Sequence, residues 1–109
     1  YTVPEISGVG VTEEEAVTQG NQIRIGKFPF AANGMAAVLG QRTGMVKIIT
    51  DGERGKILGV HIIGPNASDL IAEAALAMKF DITPIDISKT FHAHPSLSEA
   101  LWETAKIIN

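Results

Sequence analysis

The sequence contains no cysteine. That excludes disulfide staples, thiolate zinc sites and a redox-active thiol supplied by this chain. Any thiol–disulfide chemistry would have to draw its sulfur from elsewhere. Long hydrophobic runs are missing too. The most apolar stretches, Ile57 to Ile63 and Leu70 to Met78, fall far short of the roughly 20 residues that a membrane span needs, so no membrane partner is expected. No basic segment followed by an apolar one opens the chain, and no secretory leader is expected. The first residue is Tyr1 rather than Met, which suggests processing or origin in a longer polypeptide. Concentrated positive charge is also lacking. Nine Lys and Arg are scattered through a chain of net charge −3, so nothing could track a phosphate backbone and no nucleic-acid partner is expected.

What is present is a globular balance. Apolar residues make up 45% and charged residues 19% of 109, outside the disordered class and suited to one domain, 1–109, with one core. The segment from Pro4 to Val11, with Ile6, Val9 and Val11, reads as a strand. Thr12 to Glu15 has capping-box spacing and predicts a short helix to about Gln19, with Gly20 just past its end. A second strand runs from Gln22 to Phe28, and a short helix or turn from Ala31 to Leu39. Met45 to Thr50 and Lys56 to Ile63 are β-branched runs flanking the turn-forming 51–55 cluster, a hairpin. Ser68 to Phe80 places Ile71, Ala74, Ala75 and Met78 at helical spacing. Thr83-Pro84 starts a shorter helix. The last helix opens at Ser96 to Glu99 and buries Leu97, Ala100, Leu101, Thr104, Ala105 and Ile108. No repeat or low-complexity linker is visible. The fold class is α+β: an antiparallel sheet of four to five strands with helices packed on one side.

Most of the chain is silent about chemistry. The exception is Phe91-His92-Ala93-His94-Pro95-Ser96-Leu97-Ser98-Glu99. Imidazole exchanges protons at cellular pH. A carboxylate that accepts from one ring nitrogen fixes the tautomer and leaves the other nitrogen outward as acid or base. His94 and Glu99 could make such a pair. A second reading is a capping box, in which Glu99 only satisfies a backbone N–H near Ser96. One carboxylate has two oxygens and could do both. A third reading joins His92 and His94 as metal ligands, but Glu99 and the distant His61 are the only further donors in view, and no metal is expected. His61 lies within an apolar strand and reads as a packed or cross-strand histidine. Gly8-Val9-Gly10 lacks the third glycine of a dinucleotide loop. Trp102 reads as interface or core packing.

The tract from His92 to Ala100 resembles the His-Pro-Thr-x-x-Glu signature of pyridine nucleotide–disulfide oxidoreductases. Gly59 to Ala75, with Gly64-Pro65-Asn66-Ala67-Ser68, is similar to the dihydrolipoyl dehydrogenase branch of that family. Tyr1-Thr2-x-Pro4-Glu5 and Phe28 to Gly34 match the same branch. The likeness covers essentially the whole chain. It implies the C-terminal dimerisation domain of a homodimeric flavoprotein that oxidises dihydrolipoamide through a redox disulfide, FAD and NAD. It further implies that His94 is the base offered to the other subunit's disulfide and that Glu99 orients it. The His94–Pro95 bond would be cis, with the backbone of His94 and Pro95 facing the partner's FAD. The lipoyl domain of a 2-oxo acid dehydrogenase or related complex would be the partner. The compartment would be the bacterial cytoplasm, favoured, or the mitochondrial matrix. Ser96 stands where the family usually has Thr, and either hydroxyl can cap a helix. The flavin, nucleotide and disulfide segments lie outside this sequence, so the 109 residues alone are expected to bind no cofactor and to be inactive. The alternative is a purely structural homodimerisation module.

Overall fold

β-Branched residues at alternating positions build the sheet. The computed structural model describes residues 5–52 and 55–108. The motif residues Tyr1, Thr2 and Pro4 and the hairpin residues Glu53 and Arg54 lie outside them. The strands are β1 (Glu5–Gly10), β2 (Ile23–Pro29), β3 (Met45–Asp51) and β4 (Ile57–Gly64). They form one antiparallel sheet in the order β1-β4-β3-β2, four strands where four to five were expected. The helices are α1 (Glu13–Thr18), α2 (Gly34–Leu39), α3 (Ala67–Lys79), α4 (Pro84–Ser88) and α5 (Glu99–Ile107), with a 3-10 turn at Phe30–Ala32.

The core lies on one face of the sheet. Val46 pairs with Ile62 and Ile48 with Val60 across β3 and β4, and all four side chains are fully buried. Cross-strand apolar pairs of this kind hold the register, because a slip of one residue would turn each of them to the other face. The helices α3 and α5 cover these pairs. Every residue expected on the buried face of the last helix is buried. The Thr104 hydroxyl, fully buried there, donates to the Ala100 carbonyl at 2.6 Å.

Two details differ from expectation. The buried stripe of α3 is Ala67, Ala74 and Ala77, with Leu70, Ile71 and Met78 partly buried, whereas Ala75 is exposed. Alanine at the contact lets the helix backbone approach the sheet closely, so the smallest residues face inward. The second detail is α1. Lys47, on the face opposite Val46 and Ile48, bonds to Glu13 of α1 at 2.6 Å, so this short helix lies over the other side of the sheet. The consecutive burial of Ile48, Ile49 and Thr50 is what a strand covered on both faces shows. The Thr12–Glu15 capping box of α1 forms as expected, with Glu15 N–H donating to Thr12 Oγ1 at 3.1 Å and Thr12 N–H to Glu15 Oε1 at 3.2 Å.

His61 is a cross-strand histidine. It pairs with Gly8 across β1 and β4, and its Nε2–H donates to the Val11 carbonyl at 2.9 Å. A Cβ on Gly8 would stand 2.6 Å from the His61 ring, so glycine is needed there to let the imidazole lie flat on the neighbouring strand.

Candidate active site

Between α4 and α5 the chain runs from Lys89 to Ser98 without regular structure. Its beginning is set by α4, where Thr83 and Asp86 form a second capping box and Pro84 occupies the first turn. Its end is set by Leu97, buried in the core. His94 sits between these anchors with its side chain 79% exposed. The His94–Pro95 peptide bond is cis, the isomer that the family signature implied.

The His94 ring turns back over the start of α5. Its Nδ1–H donates to both carboxylate oxygens of Glu99, each at 3.0 Å. Nε2 is therefore the nitrogen left for solvent or substrate. Glu99 is far less exposed than its partner, at 16%, and Oε1 also accepts the Ser96 N–H at 3.0 Å. Both sequence readings of Glu99 thus coexist in one carboxylate. The capping box is only half made, however. Ser96 Oγ donates to the Ala93 carbonyl at 2.6 Å and lies 2.9 Å from Ser98 Oγ, so it caps no helix N–H.

That diversion explains a difference from the expected helix start. Regular α-helix begins at Glu99, not Ser96. Tighter bonds precede it, with Ala100 N–H to the Leu97 carbonyl at 3.0 Å and Leu101 N–H to Ser98 at 3.1 Å. Such 3-10 closure is an ordinary way of satisfying the first amides of a helix when no side chain does so.

Several influences act on the Glu99 carboxyl. Burial pushes its pKa up. The His94 hydrogen bond, the Ser96 N–H and the charges of His94 and His92 together outweigh burial and bring it below 4.5. A carboxylate with a lowered folded pKa adds stability above its unfolded pKa and loses it as pH falls through the folded value. In urea denaturation, wild type is therefore expected to exceed Glu99→Gln by more at about pH 6 than at about pH 3. A pH-independent difference would show that Glu99 is not held as the anion.

The metal reading does not match the geometry. His92 turns away from His94, with a side chain only 6% exposed and Nε2 2.7 Å from Glu73 Oε2. Its Nδ1–H donates to the Thr90 carbonyl at 2.9 Å. Among the described residues no group of three or more His, Cys, Asp or Glu side chains converges to hold an ion. Trp102 is a packing residue with a polar tie: its Nε1–H donates to the Ser88 carbonyl at 2.9 Å, joining α5 to α4. Lys106 Nζ lies 3.8 Å over its ring.

Two supports were not legible in the sequence. One is Glu73 of α3, which meets His92. The other is Asn33, nearly fully buried, whose Nδ2–H donates to the Ser96 carbonyl at 3.0 Å while Oδ1 accepts Ala36 N–H at 2.8 Å. Asn33 has the composition of an N-cap, and that role is real. Its second bond spans 63 residues, and no local pattern announces it.

Comparison with known proteins extends this picture. The family model described as pyridine nucleotide-disulphide oxidoreductase, dimerisation domain, matches residues 1–105. The chain is 50% identical over 105 residues to the dihydrolipoyl dehydrogenase of Bacillus subtilis, covering 96% of this chain and 22% of that protein. It is equally identical to the mitochondrial dihydrolipoyl dehydrogenase of Pisum sativum, again over 96% of this chain and 21% of the relative. Among solved structures, LpdA from Mycobacterium tuberculosis superimposes with a TM-score of 0.91 at 31% identity, over 97% of this chain and 23% of that one. The flavoprotein disulfide reductase RclA from Escherichia coli gives a TM-score of 0.91 at 27% identity, over 95% and 24%. The chain thus spans about a fifth of the length of the relatives it matches.

Proposed function

Because the chain belongs to the pyridine nucleotide-disulphide oxidoreductase dimerisation family, we propose that it is the interface domain of a dihydrolipoyl dehydrogenase and supplies that enzyme's acid–base pair, His94 and Glu99. The observation that carries this reading is the orientation of His94. Nδ1 is committed to Glu99, and Nε2 is directed outward on a highly exposed side chain.

The chemistry asks for such a group. A thiol near pKa 8.5 is a poor nucleophile at neutral pH, and its thiolate is a good one. His94 Nε2 takes the proton from the incoming dithiol, and the imidazolium so formed is held by Glu99. The same imidazolium then lies beside the thiolate released from the redox disulfide. That disulfide belongs to the other subunit of a homodimer, so dimerisation becomes a condition of catalysis.

In the full protein FAD and NAD would supply the electron transfer away from the reduced disulfide. Gly8 and Gly10 lie in β1, and the Val11 N–H just after them donates to Leu58, so this glycine pair is strand and not a phosphate-binding turn. What the residues here fit is an edge contact: the exposed His94–Pro95 turn would be the part of this chain that lies against the partner's flavin. The 109 residues alone are then inactive. The physiological partner is a lipoyl domain of a 2-oxo acid dehydrogenase or related complex. Relatives from a bacterium and from mitochondria accord with the cytoplasm or the mitochondrial matrix.

A second reading keeps only dimerisation and leaves His94 and Glu99 inert. The bond from Ser96 N–H to Glu99 favours it, since that bond alone would explain the carboxylate. Kinetics of the full-length polypeptide separate the two. If Glu99 acts through His94, Glu99→Gln lowers turnover with dihydrolipoamide by less than His94→Gln does. The double variant then resembles His94→Gln rather than the product of the two losses. Under the capping reading Glu99→Gln is almost silent, because glutamine also serves in such boxes.

A further inference from the structure

Phe91 to Ser96 carry His94, yet among the described residues no backbone–backbone hydrogen bond involves this segment. Side chains hold it. Ser96 is tied by Glu99 and by Asn33 at one end. At the other end the tie is His92, two residues before His94. The ring of His92 is buried between two helices. Glu73 of α3 meets Nε2 at 2.7 Å, and Trp102 of α5 lies with its ring centroid 6.3 Å away, tilted by 31°.

We infer that Glu73 and His92 form a second His–carboxylate pair whose task is to position the loop that carries His94, making both of them positioning residues for the reaction. The inference rests on the acid–base reading of His94 for its functional meaning. Its structural content is independent of that reading.

The hydrogen-bond inventory explains why a histidine and a carboxylate suit the task. A neutral imidazole has one donor and one acceptor nitrogen. The Thr90 carbonyl can only accept, so Nδ1 of His92 carries hydrogen and Nε2 is left to meet the Glu73 carboxyl. That second contact needs one proton shared between the ring and the carboxyl. The loop is thereby pinned to its own start at Thr90 and to α3 at once. A largely buried polar ring is costly to leave unsatisfied, and the Glu73 contact at 2.7 Å is short. Removing Glu73 forfeits that anchor and gives Phe91 to Pro95 freedom that the exposed His94 ring follows.

The readout is the tautomer of His94, followed by ¹⁵N-resolved NMR of the 109-residue chain. Free neutral imidazole in histidine prefers hydrogen on Nε2. The contact with Glu99 requires it on Nδ1, so an Nδ1–H ring at position 94 reports a correctly placed loop. In wild type the neutral ring is expected as Nδ1–H. In Glu73→Ala it is expected to lose that preference and move toward Nε2–H, with the amide signals of the sheet unchanged. Glu73→Gln, whose amide can donate to Nε2 of a neutral His92, is expected to retain most of the Nδ1–H form. If Glu73→Ala does not fold, His92→Phe keeps the ring packed on Trp102, drops both bonds and carries the same test. An unaltered His94 tautomer in a folded variant lacking the clamp overturns the proposal. In the full-length enzyme the same loosening is expected to lower turnover by up to about 10²-fold, the scale of a misplaced catalytic group. Silence of His94→Gln in that enzyme would remove the acid–base reading without touching the tautomer result, so the two failures are distinguishable.

Discussion

Replacing His94 with Gln in the full-length dimer is expected to lower turnover with dihydrolipoamide by about 10²–10⁴, the usual worth of a general acid–base group. Glutamine keeps much of the volume and can still bond to Glu99, so the loop need not move. What it lacks is a nitrogen that takes up and returns a proton. The geometry makes that loss specific. Nδ1 is occupied by both oxygens of Glu99 at 3.0 Å, so no other atom of the ring stands in for Nε2. Steady-state kinetics with dihydrolipoamide, with flavin absorbance and sedimentation as controls for cofactor and dimer, make the measurement. Wild-type turnover with the flavin bound and the dimer intact would falsify the catalytic assignment and leave the structural module.

The largest stability loss is expected at Phe30. Its side chain is fully buried in the 3-10 turn that follows β2, and its N–H donates to the Gly44 carbonyl at 3.0 Å. The ring packs against the end of β4. A Cβ on Gly64 would stand 2.6 Å from two ring carbons, so only glycine leaves room for the contact. Phe30→Ala empties that space, and truncation of a buried Phe typically costs about 3–5 kcal/mol. Domains of this size are stable by about 5–15 kcal/mol, so the variant should be near the edge of folding. Urea denaturation monitored by Trp102 fluorescence checks it, with Phe30→Leu expected to retain much of the loss. A cost below about 1 kcal/mol would mean that the neighbouring segments collapse into the gap. The consequence also reaches the site. Asn33, three residues on, holds the Ser96 carbonyl, so a loosened turn at Phe30 slackens the loop that carries His94.

The strands and most helix starts were legible because their causes are local. Met45 to Thr50 and Lys56 to Ile63 are β-branched runs flanking a turn-forming cluster, and two such runs joined by a short turn pair as a hairpin. Thr12 announces a helix because a hydroxyl and a carboxylate three residues apart satisfy orphan amides without help from the rest of the chain, and Pro84 announces one because its fixed φ suits the first helical position. Ser96 shows where this reasoning stops. It has the same spacing to Glu99, yet its hydroxyl goes to Ala93 and the helix starts three residues later. Ala93 is an equally near acceptor, and the choice between two local partners was made by the path of the loop.

The sequence by itself determined the two β-branched runs that pair as β3 and β4, the first helix cap, the buried stripe of α5, and the family-specific tract around His94 and Glu99. Each depends on residues within a few positions of one another, or on a motif read in order. Only the tertiary structure decided that α1 covers the face of the sheet opposite α3 and α5. It alone showed that Glu99 accepts from both the His94 ring and the Ser96 N–H, and that His92 turns inward to Glu73 rather than joining His94. The physical reason is the same in each case. These contacts join residues that are distant in sequence, or choose among partners of equal chemistry. Packing settles such choices by burying one arrangement and leaving the other in water.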